Sequence, residues 1–256
     1  MKRKISLSSL NASLCVIIPV YNHSDNLSTI VTRITKGKLP VILIDDGSDK
    51  SCKKIMRDLE RAIDSITLES HPMNLGKGAA IKTGLQTALE KGFSHALQID
   101  ADGQHNVDDI SHFINQMDEQ PDALISGYPN YDSTVPKLRY YSRYATHLWV
   151  WINTLSGVIK DSMCGFRVYP VEQSCELLVA QKMGDRMEFD TEFFVRWYWS
   201  GQPIVQIQTN VSYPINGVSH FKLFRDNLLI SWMHTRLFFG MLKRLPKLIK
   251  QKFFNL

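Results

Sequence analysis

Leu14-Cys15-Val16-Ile17-Ile18-Pro19-Val20 is an almost unbroken apolar run of strand length, followed at once by the polar pair Tyr21-Asn22. A strand with one wet face alternates apolar and polar residues. This run has no polar face, so it reads as a strand buried on both sides. Val41-Ile42-Leu43-Ile44 repeats the pattern, Ile66-Thr67-Leu68 does so weakly, and Ala96-Leu97-Gln98-Ile99 and Ala123-Leu124-Ile125 follow. Helix-patterned segments fall between these runs, near residues 25–36, 50–63, 78–91 and 107–119. The last has Asn106 as its N-cap, with Asp108 and Asp109 in the first turn. Strand–helix alternation predicts βαβ units on a mostly parallel α/β sheet flanked by helices. On such sheets ligands bind at the carboxyl ends of the strands.

The polar residues gather at those ends. Tyr21-Asn22 follows the first strand, Asp45-Asp46-Gly47-Ser48 the second, and Asp100-Ala101-Asp102-Gly103-Gln104-His105 the fourth. Each cluster alone is ordinary turn chemistry, because Asp-Gly pairs make turns and acidic residues cap helices. Together they place several carboxylates on one sheet edge, where they repel one another unless a cation or bound donors neutralise them. A hard divalent ion, Mg²⁺ or Mn²⁺, suits carboxylate and amide oxygens. No G-x-x-x-x-G-K-[ST] loop is present, and no G-x-G-x-x-G follows the first strand. Asn74-Leu75-Gly76-Lys77-Gly78-Ala79-Ala80 is a glycine-rich helix entry. It reads either as a tight turn or as a place where Lys77 and backbone N–H groups face a phosphate or a base.

The chain has 256 residues and an ordinary globular composition, enough for one large α/β domain. Cys15, Cys52, Cys164 and Cys175 are widely spaced and form no C-x-x-C pair, which argues against a zinc site or a disulfide framework. Polar residues break the apolar run that a signal peptide would need after Lys2-Arg3-Lys4, and no apolar stretch reaches membrane-spanning length. The expectation is a cytoplasmic protein that neither leaves the cell nor spans a bilayer. Net charge is +5, and from Asn227 onward there is no acidic residue. Arg236, Lys243, Arg244, Lys247, Lys250 and Lys252 alternate there with Trp232, Phe238, Phe239, Leu242, Ile249 and other apolar residues. Such a basic, amphipathic helical tail reads as a membrane-surface element. The plain alternative is a C-terminal helix packed on the domain with a solvated basic face. Nucleic acid is not an expected partner, because the basic residues are concentrated in this apolar tail.

Taken in order and at this spacing, the motifs resemble glycosyltransferase family 2 with the GT-A fold, nearest its dolichol- and polyprenyl-phosphate sugar transferase branch. The likeness covers residues 14 to about 127 and continues more weakly through Asp161-Ser162-Met163-Cys164-Gly165-Phe166-Arg167, Glu188-Phe189-Asp190-Thr191-Glu192 and Gly217-Val218-Ser219-His220-Phe221-Lys222. It implies a transferase domain over 1–222, with a nucleotide-sugar half at 14–127 and an acceptor half at 128–222, followed by a membrane-associating tail at 223–256. Pro19, Tyr21 and Asn22 would line the nucleoside pocket, and Asp45 or Asp46 would hold the base or ribose. Asp100 and Asp102 match the family's D-x-D motif, whose metal would sit on the donor diphosphate with Gln104 assisting. Lys77, Arg139, Arg143, Arg167, His220 and Lys222 are candidates for contacts to phosphate. The polyprenyl branch commonly carries lysine where His220 stands.

The resemblance implies an inverting, metal-dependent transferase that takes a sugar from a UDP- or GDP-sugar to a lipid-linked acceptor. A polyprenyl phosphate is already ionised and can attack unaided, whereas a hydroxyl of a glycan or glycolipid needs a base. Asp190 is the candidate base, and its alternative role is an ion pair with an arginine such as Arg186 or Arg196. Residues 128–160, with Tyr140, Tyr141, Tyr144, Trp149 and Trp151, read either as an acceptor platform or as a core helix with snorkelling arginines. Two other classes remain at this point. A nucleotidyltransferase would need a glycine- and arginine-rich loop where Pro19-Val20-Tyr21-Asn22-His23 stands. A non-catalytic membrane-associated adaptor would keep the fold without its chemistry.

Overall fold

Seven strands form one sheet: β1 (Leu14–Val20), β2 (Val41–Asp45), β3 (Ile66–Ser70), β4 (His95–Gln98), β5 (Leu124–Asn130), β6 (Arg167–Pro170) and β7 (Ile204–Asn210). The computed structural model describes residues 13–130, 137–211 and 221–254, with side chains described over 13–130, 143–211 and 221–250. The strands lie in the order β3-β2-β1-β4-β6-β5-β7. All neighbours are parallel except β6, which runs antiparallel to both β4 and β5. The helices are α1 (Leu27–Lys36), α2 (Lys50–Ala62), α3 (Lys77–Glu90), α4 (Ile110–Glu119), α5 (Lys137–Thr154), α6 (Val171–Ala180), α7 (Phe189–Ser200) and α8 (Leu223–Phe254).

The apolar run of β1 is explained by its two neighbouring layers. Cys15 and Ile17 point into a core built with α3, α6, α7 and α8, through residues such as Ile81, Leu85, Phe193, Trp197 and Leu237. Leu14, Val16, Ile18 and Val20 point into the opposite core, with Leu27 and Val31 of α1, Met56 of α2 and Phe113 of α4. Both faces of the strand are therefore buried, as expected of a parallel sheet. The five strands and four helices expected from the sequence are present. The segment at 107–119 begins as a 3₁₀ turn, where Asn106 Oδ1 accepts the Asp108 N–H at 3.1 Å before α4 starts.

Helix α8 belongs to this architecture on one side. Its Met233, Leu237, Met241 and Leu248 are buried in the first core. Trp149 of α5 stacks on His234, centroid to centroid 5.9 Å, and Asn153 Nδ2 lies 3.4 Å from His234 Nδ1. Trp199 of α7 donates to the Asn153 carbonyl at 2.9 Å, and Lys247 Nζ donates to the Trp199 carbonyl at 3.1 Å. Among the described residues no helix is long and apolar enough to cross a membrane. All four cysteines are buried and free.

Burial pushes the His234 imidazole down from 6.5 to about 4. Below pH 6.5 the unfolded chain therefore takes up a proton that the folded chain refuses, and stability falls as pH drops towards about 4. The loss attributable to this one group is at most about 3 kcal/mol. His234→Leu should flatten the difference between urea midpoints measured at about pH 7 and about pH 4.5. An acid loss as large in the variant as in the parent would assign it to other groups.

Candidate active site

The loops after β1, β2 and β3 are tied to one another by hydrogen bonds. Asn22 holds a left-handed backbone, φ 54°. Its N–H donates to Ser48 Oγ at 3.1 Å, and its Oδ1 accepts the Asp49 N–H at 2.8 Å. Asp45 is buried and its Oδ1 accepts the Ser48 N–H at 2.7 Å. Asp46, also buried, accepts from Asn74 Nδ2, Leu75 N and Gly76 N, each at 2.9 Å, and meets His71 Nδ1 at 2.8 Å. The oxygens of Asp46 are thus spent on shaping the glycine turn. Both carboxylates expected at the base or ribose are turned inward in this arrangement.

The glycine turn delivers a cation to the centre of the site. Gly76 has φ +117°, and an added Cβ would strike the Asp185 carbonyl and Arg186. Gly78 packs equally closely on Phe189. Between them Lys77 Nζ sits 2.9 Å from Asp100 Oδ2 and 2.9 Å from Asp190 Oδ2. Burial alone would lower the lysine pKa, but the two carboxylates outweigh it and hold the ammonium well above the ordinary range. Burial likewise pushes Asp100 upward, and Lys77 reverses this, so its carboxyl lies below the usual value. Gly165 lies against that carboxylate so closely that no side chain fits.

Asp102 is the opposite case. Burial, then the Asp100 charge, holds its carboxyl above the ordinary range. Its Oδ1 accepts the Gln104 N–H at 3.0 Å. A carboxylate beside a second carboxylate, short of positive charge, fits an added hard cation. The carboxylates of Asp100 and Asp102, with the Gln104 amide, are the oxygens that would hold Mg²⁺ or Mn²⁺. Among the described residues no three His, Cys, Asp or Glu side chains gather to hold a metal. The remaining ligands would have to come from the donor. Burial also pushes the neighbouring His105 imidazole downward.

Several expectations are corrected by the geometry. Asp190 pairs with Lys77 and, at 4.0 Å, with an arginine that is Arg167 and not Arg186 or Arg196. Arg186 Nη1 donates to Asn74 Oδ1 at 3.0 Å, and Arg196 grips Glu192 at 2.6 Å. Arg167 is 0% exposed and donates to the carbonyls of Asp190 (3.2 Å), Ser162 (3.1 Å) and Cys164 (3.4 Å). Its Nη1 lies 4.0 Å from Asp190 Oδ1, so it steadies Asp190 from behind and presents no face to a ligand. Arg143 is bound to Asp161 through two nitrogens, at 2.8 to 3.0 Å. Pro19 lies one residue before the end of β1, paired with Ile44 of β2, and Tyr21 is the first residue after the strand. Lys222 is exposed, and its backbone N–H donates to Asp226 at 2.7 Å. His220 and the side chains of Arg139, Tyr140 and Tyr141 lie outside the described residues.

Glu192 is a residue for which sequence reasoning gave no role. It is 0% exposed, one half-turn past Asp190 on α7. Oε1 accepts from Arg196 Nε at 3.0 Å and Nη2 at 2.6 Å, while Oε2 accepts from Gly184 N at 2.9 Å and Arg236 Nη2 at 3.1 Å. It therefore joins α7, α8 and the loop at 183–188. That loop in turn supports the glycine turn, because the Ala79 N–H donates to the Asp185 carbonyl at 2.9 Å and Lys82 Nζ donates to the carbonyls of Met183 and Gly184 at 2.9 Å. The only sequence cue was a second acid two residues after Asp190.

Comparison with known proteins places this geometry. A family model described as "Glycosyl transferase family 2" matches residues 15–175. A dolichyl-phosphate beta-glucosyltransferase of Trichomonas vaginalis is 25% identical over 199 residues, 71% of this chain and 60% of its own length. A polyprenol monophosphomannose synthase of Mycolicibacterium smegmatis is 29% identical over 170 residues, 60% of each chain. The chain thus spans about three fifths of these two relatives. Glucosyl-3-phosphoglycerate synthase from Mycobacterium tuberculosis, solved with Mn²⁺, UDP-glucose and phosphoglyceric acid, is similar in fold. Its TM-score is 0.66 at 13% identity, over 90% of this chain and 80% of that one.

Glu192→Gln keeps the shape of the hub and removes the charge that holds two arginines. Chemical denaturation should show a loss of about 3 kcal/mol, as expected when one partner of a buried ion pair is removed. A loss below about 1 kcal/mol would mean that Glu192 does not hold these elements together.

Proposed function

The chain belongs to glycosyl transferase family 2, and from that premise we propose that it moves a sugar, with inversion, from a UDP- or GDP-sugar to a lipid-linked acceptor such as a polyprenyl phosphate. The two dolichyl- and polyprenol-phosphate relatives support the acceptor class. The single observation that carries the reading is the Lys77 ammonium held between Asp100 and Asp190. Asp190 Oδ2 is engaged by Lys77, and Oδ1 is buried without a hydrogen-bond partner. A hydroxyl acceptor would need one of these oxygens open to it to give up its proton, and Asp190 is only 5% exposed. An ionised phosphate needs no base, and a site arranged in this way suits it.

In this proposal Pro19, Tyr21 and Asn22 receive the nucleoside, and the turn at Gly76–Gly78 brings Lys77 to the diphosphate. Asp190 orients Lys77, and Arg167 holds Asp190. Negative charge grows on the diphosphate as its bond to the sugar breaks, and a preformed ammonium stabilises that charge without reorganising at the moment of reaction. A Mg²⁺ or Mn²⁺ ion held by Asp102, with Asp100 and Gln104 beside it, would add positive charge against the same leaving group. The solved relative with Mn²⁺ and UDP-glucose supports a divalent ion. The enzyme would act peripherally on the cytoplasmic face of a membrane, where its acceptor lies.

The direct test incubates the full chain with a panel of UDP- and GDP-sugars, Mn²⁺ and a short polyprenyl phosphate. One donor should yield a glycosylated lipid phosphate, and the product should vanish in Asp102→Ala or on chelation and return with Mn²⁺. Transfer only to a glycan or glycolipid hydroxyl would replace the acceptor assignment. No transfer from any donor by a folded protein would favour an adaptor.

A further inference from the structure

Helix α8 has two apolar faces, and the core accounts for one of them. Met233, Leu237, Met241 and Leu248 are buried against the domain. Phe224, Leu228, Trp232, Phe239, Leu242 and Ile249 are exposed, by 86%, 61%, 60%, 59%, 46% and 44%. At 3.6 residues per turn these six positions fall within an arc of ~100°, opposite the buried row. An ordinary surface helix carries one apolar stripe and a polar outer face. Here a row of aromatic and aliphatic side chains runs along the outer face from Phe224 to Ile249. Exposed Leu148 and Trp151 of α5 stand on the helix packed beside it.

The charge along this row selects its partner. Arg225, Lys243 and Lys250 are exposed, and each directly follows a member of the row, which puts them along one flank. No acidic residue occurs from Asn227 onward. Arg236, by contrast, is used internally on Glu192. An apolar stripe edged by cations and free of acids matches the headgroup and acyl boundary of an anionic bilayer, with the helix lying in the plane of the interface.

We propose that the outer face of α8 is the membrane-docking surface of this protein, and that it binds anionic phospholipid bilayers. The inference deepens the lipid-acceptor reading and rests on it, because it places that acceptor's membrane against a named face. Half-buried Arg236 of α8 also meets Glu192, two residues from Asp190, which ties the docking helix to the helix that carries Asp190.

The experiment measures binding of the full chain to vesicles of phosphatidylcholine alone and of phosphatidylcholine with phosphatidylglycerol. Two variants accompany it, Lys243→Glu/Lys250→Glu and Trp232→Ser/Phe239→Ser, all at exposed positions outside the active site. Each is checked for an unchanged melting temperature and an unchanged affinity for nucleoside diphosphate. The parent should bind the anionic vesicles at least tenfold more tightly than the neutral ones. The charge reversal should weaken anionic binding by at least about tenfold, as should raising the salt. The aromatic pair should weaken binding to both vesicles. Equal binding by parent and variants, or no vesicle binding by the parent, would overturn the proposal. So would a parent dimer that the aromatic substitutions turn into a monomer without altering vesicle binding, because the face would then serve a second copy. A parent that binds nucleotide but no vesicles would lose the docking face and keep the transferase reading. A parent that binds vesicles but no nucleotide would keep the face and lose that reading.

Discussion

The arrangement of the site depends on one ammonium group. Lys77 Nζ lies 2.9 Å from a carboxylate on the β4 loop and 2.9 Å from another on α7. Without that charge, Asp100 and Asp190 would face each other in a sheltered place where like charges are poorly screened. The ion pairs therefore tie α7, late in the chain, to the glycine turn and the β4 loop. The local backbone is built to allow it. Gly76 and Gly78 let the turn run beneath Arg186 and Phe189, and Gly165 lets the β6 side approach Asp100. Larger residues at these three positions would push the elements apart.

Around this centre the buried charges fall into a supporting ring. Asp46 shapes the glycine turn, Arg167 braces Asp190 from behind, and Glu192 fastens α7 to α8 and to the loop at 183–188. Asp161 does the same for α5 through Arg143, and its Oδ1 also takes the N–H groups of Met163 and Cys164. Asp46, Glu192 and Asp161 are each buried and met by several donors, the condition under which a buried charge is tolerated. Asp102 has one such donor, the Gln104 N–H, and burial beside the Asp100 charge holds its carboxyl above the ordinary range.

The sequence made the first half of the fold legible because β1 and β2 are buried on both faces and carry long apolar runs. It gave no such signal for β6, where Arg167 sits in a four-residue strand at 0% exposure. It also gave none for β7, whose residues are mostly only partly buried at the sheet edge. The polar motifs at the strand ends were readable from the sequence, but the pairing among their side chains was not. Asp190 lies 113 residues beyond Lys77, and no local spacing tells which of several nearby cations it meets. For the same reason Arg167 reads as a phosphate contact until its burial is seen, and Arg236 reads as one more tail cation until it meets Glu192. The tail shows the limit most plainly. Its composition announces an amphipathic helix, yet only the packing reveals which apolar row is inside and which is outside.

The central claim is that the strand ends form a nucleotide-sugar site whose phosphate-facing cation is Lys77. Calorimetric titration of UDP and GDP into the parent chain and Lys77→Met, with and without Mn²⁺, tests it most directly. One of the two nucleotides should bind the parent, more tightly with Mn²⁺, and Lys77→Met should bind it at least about tenfold more weakly, or ~1.4 kcal/mol. Equal affinity in the two proteins, or no binding of either nucleotide by the folded parent, would contradict the claim.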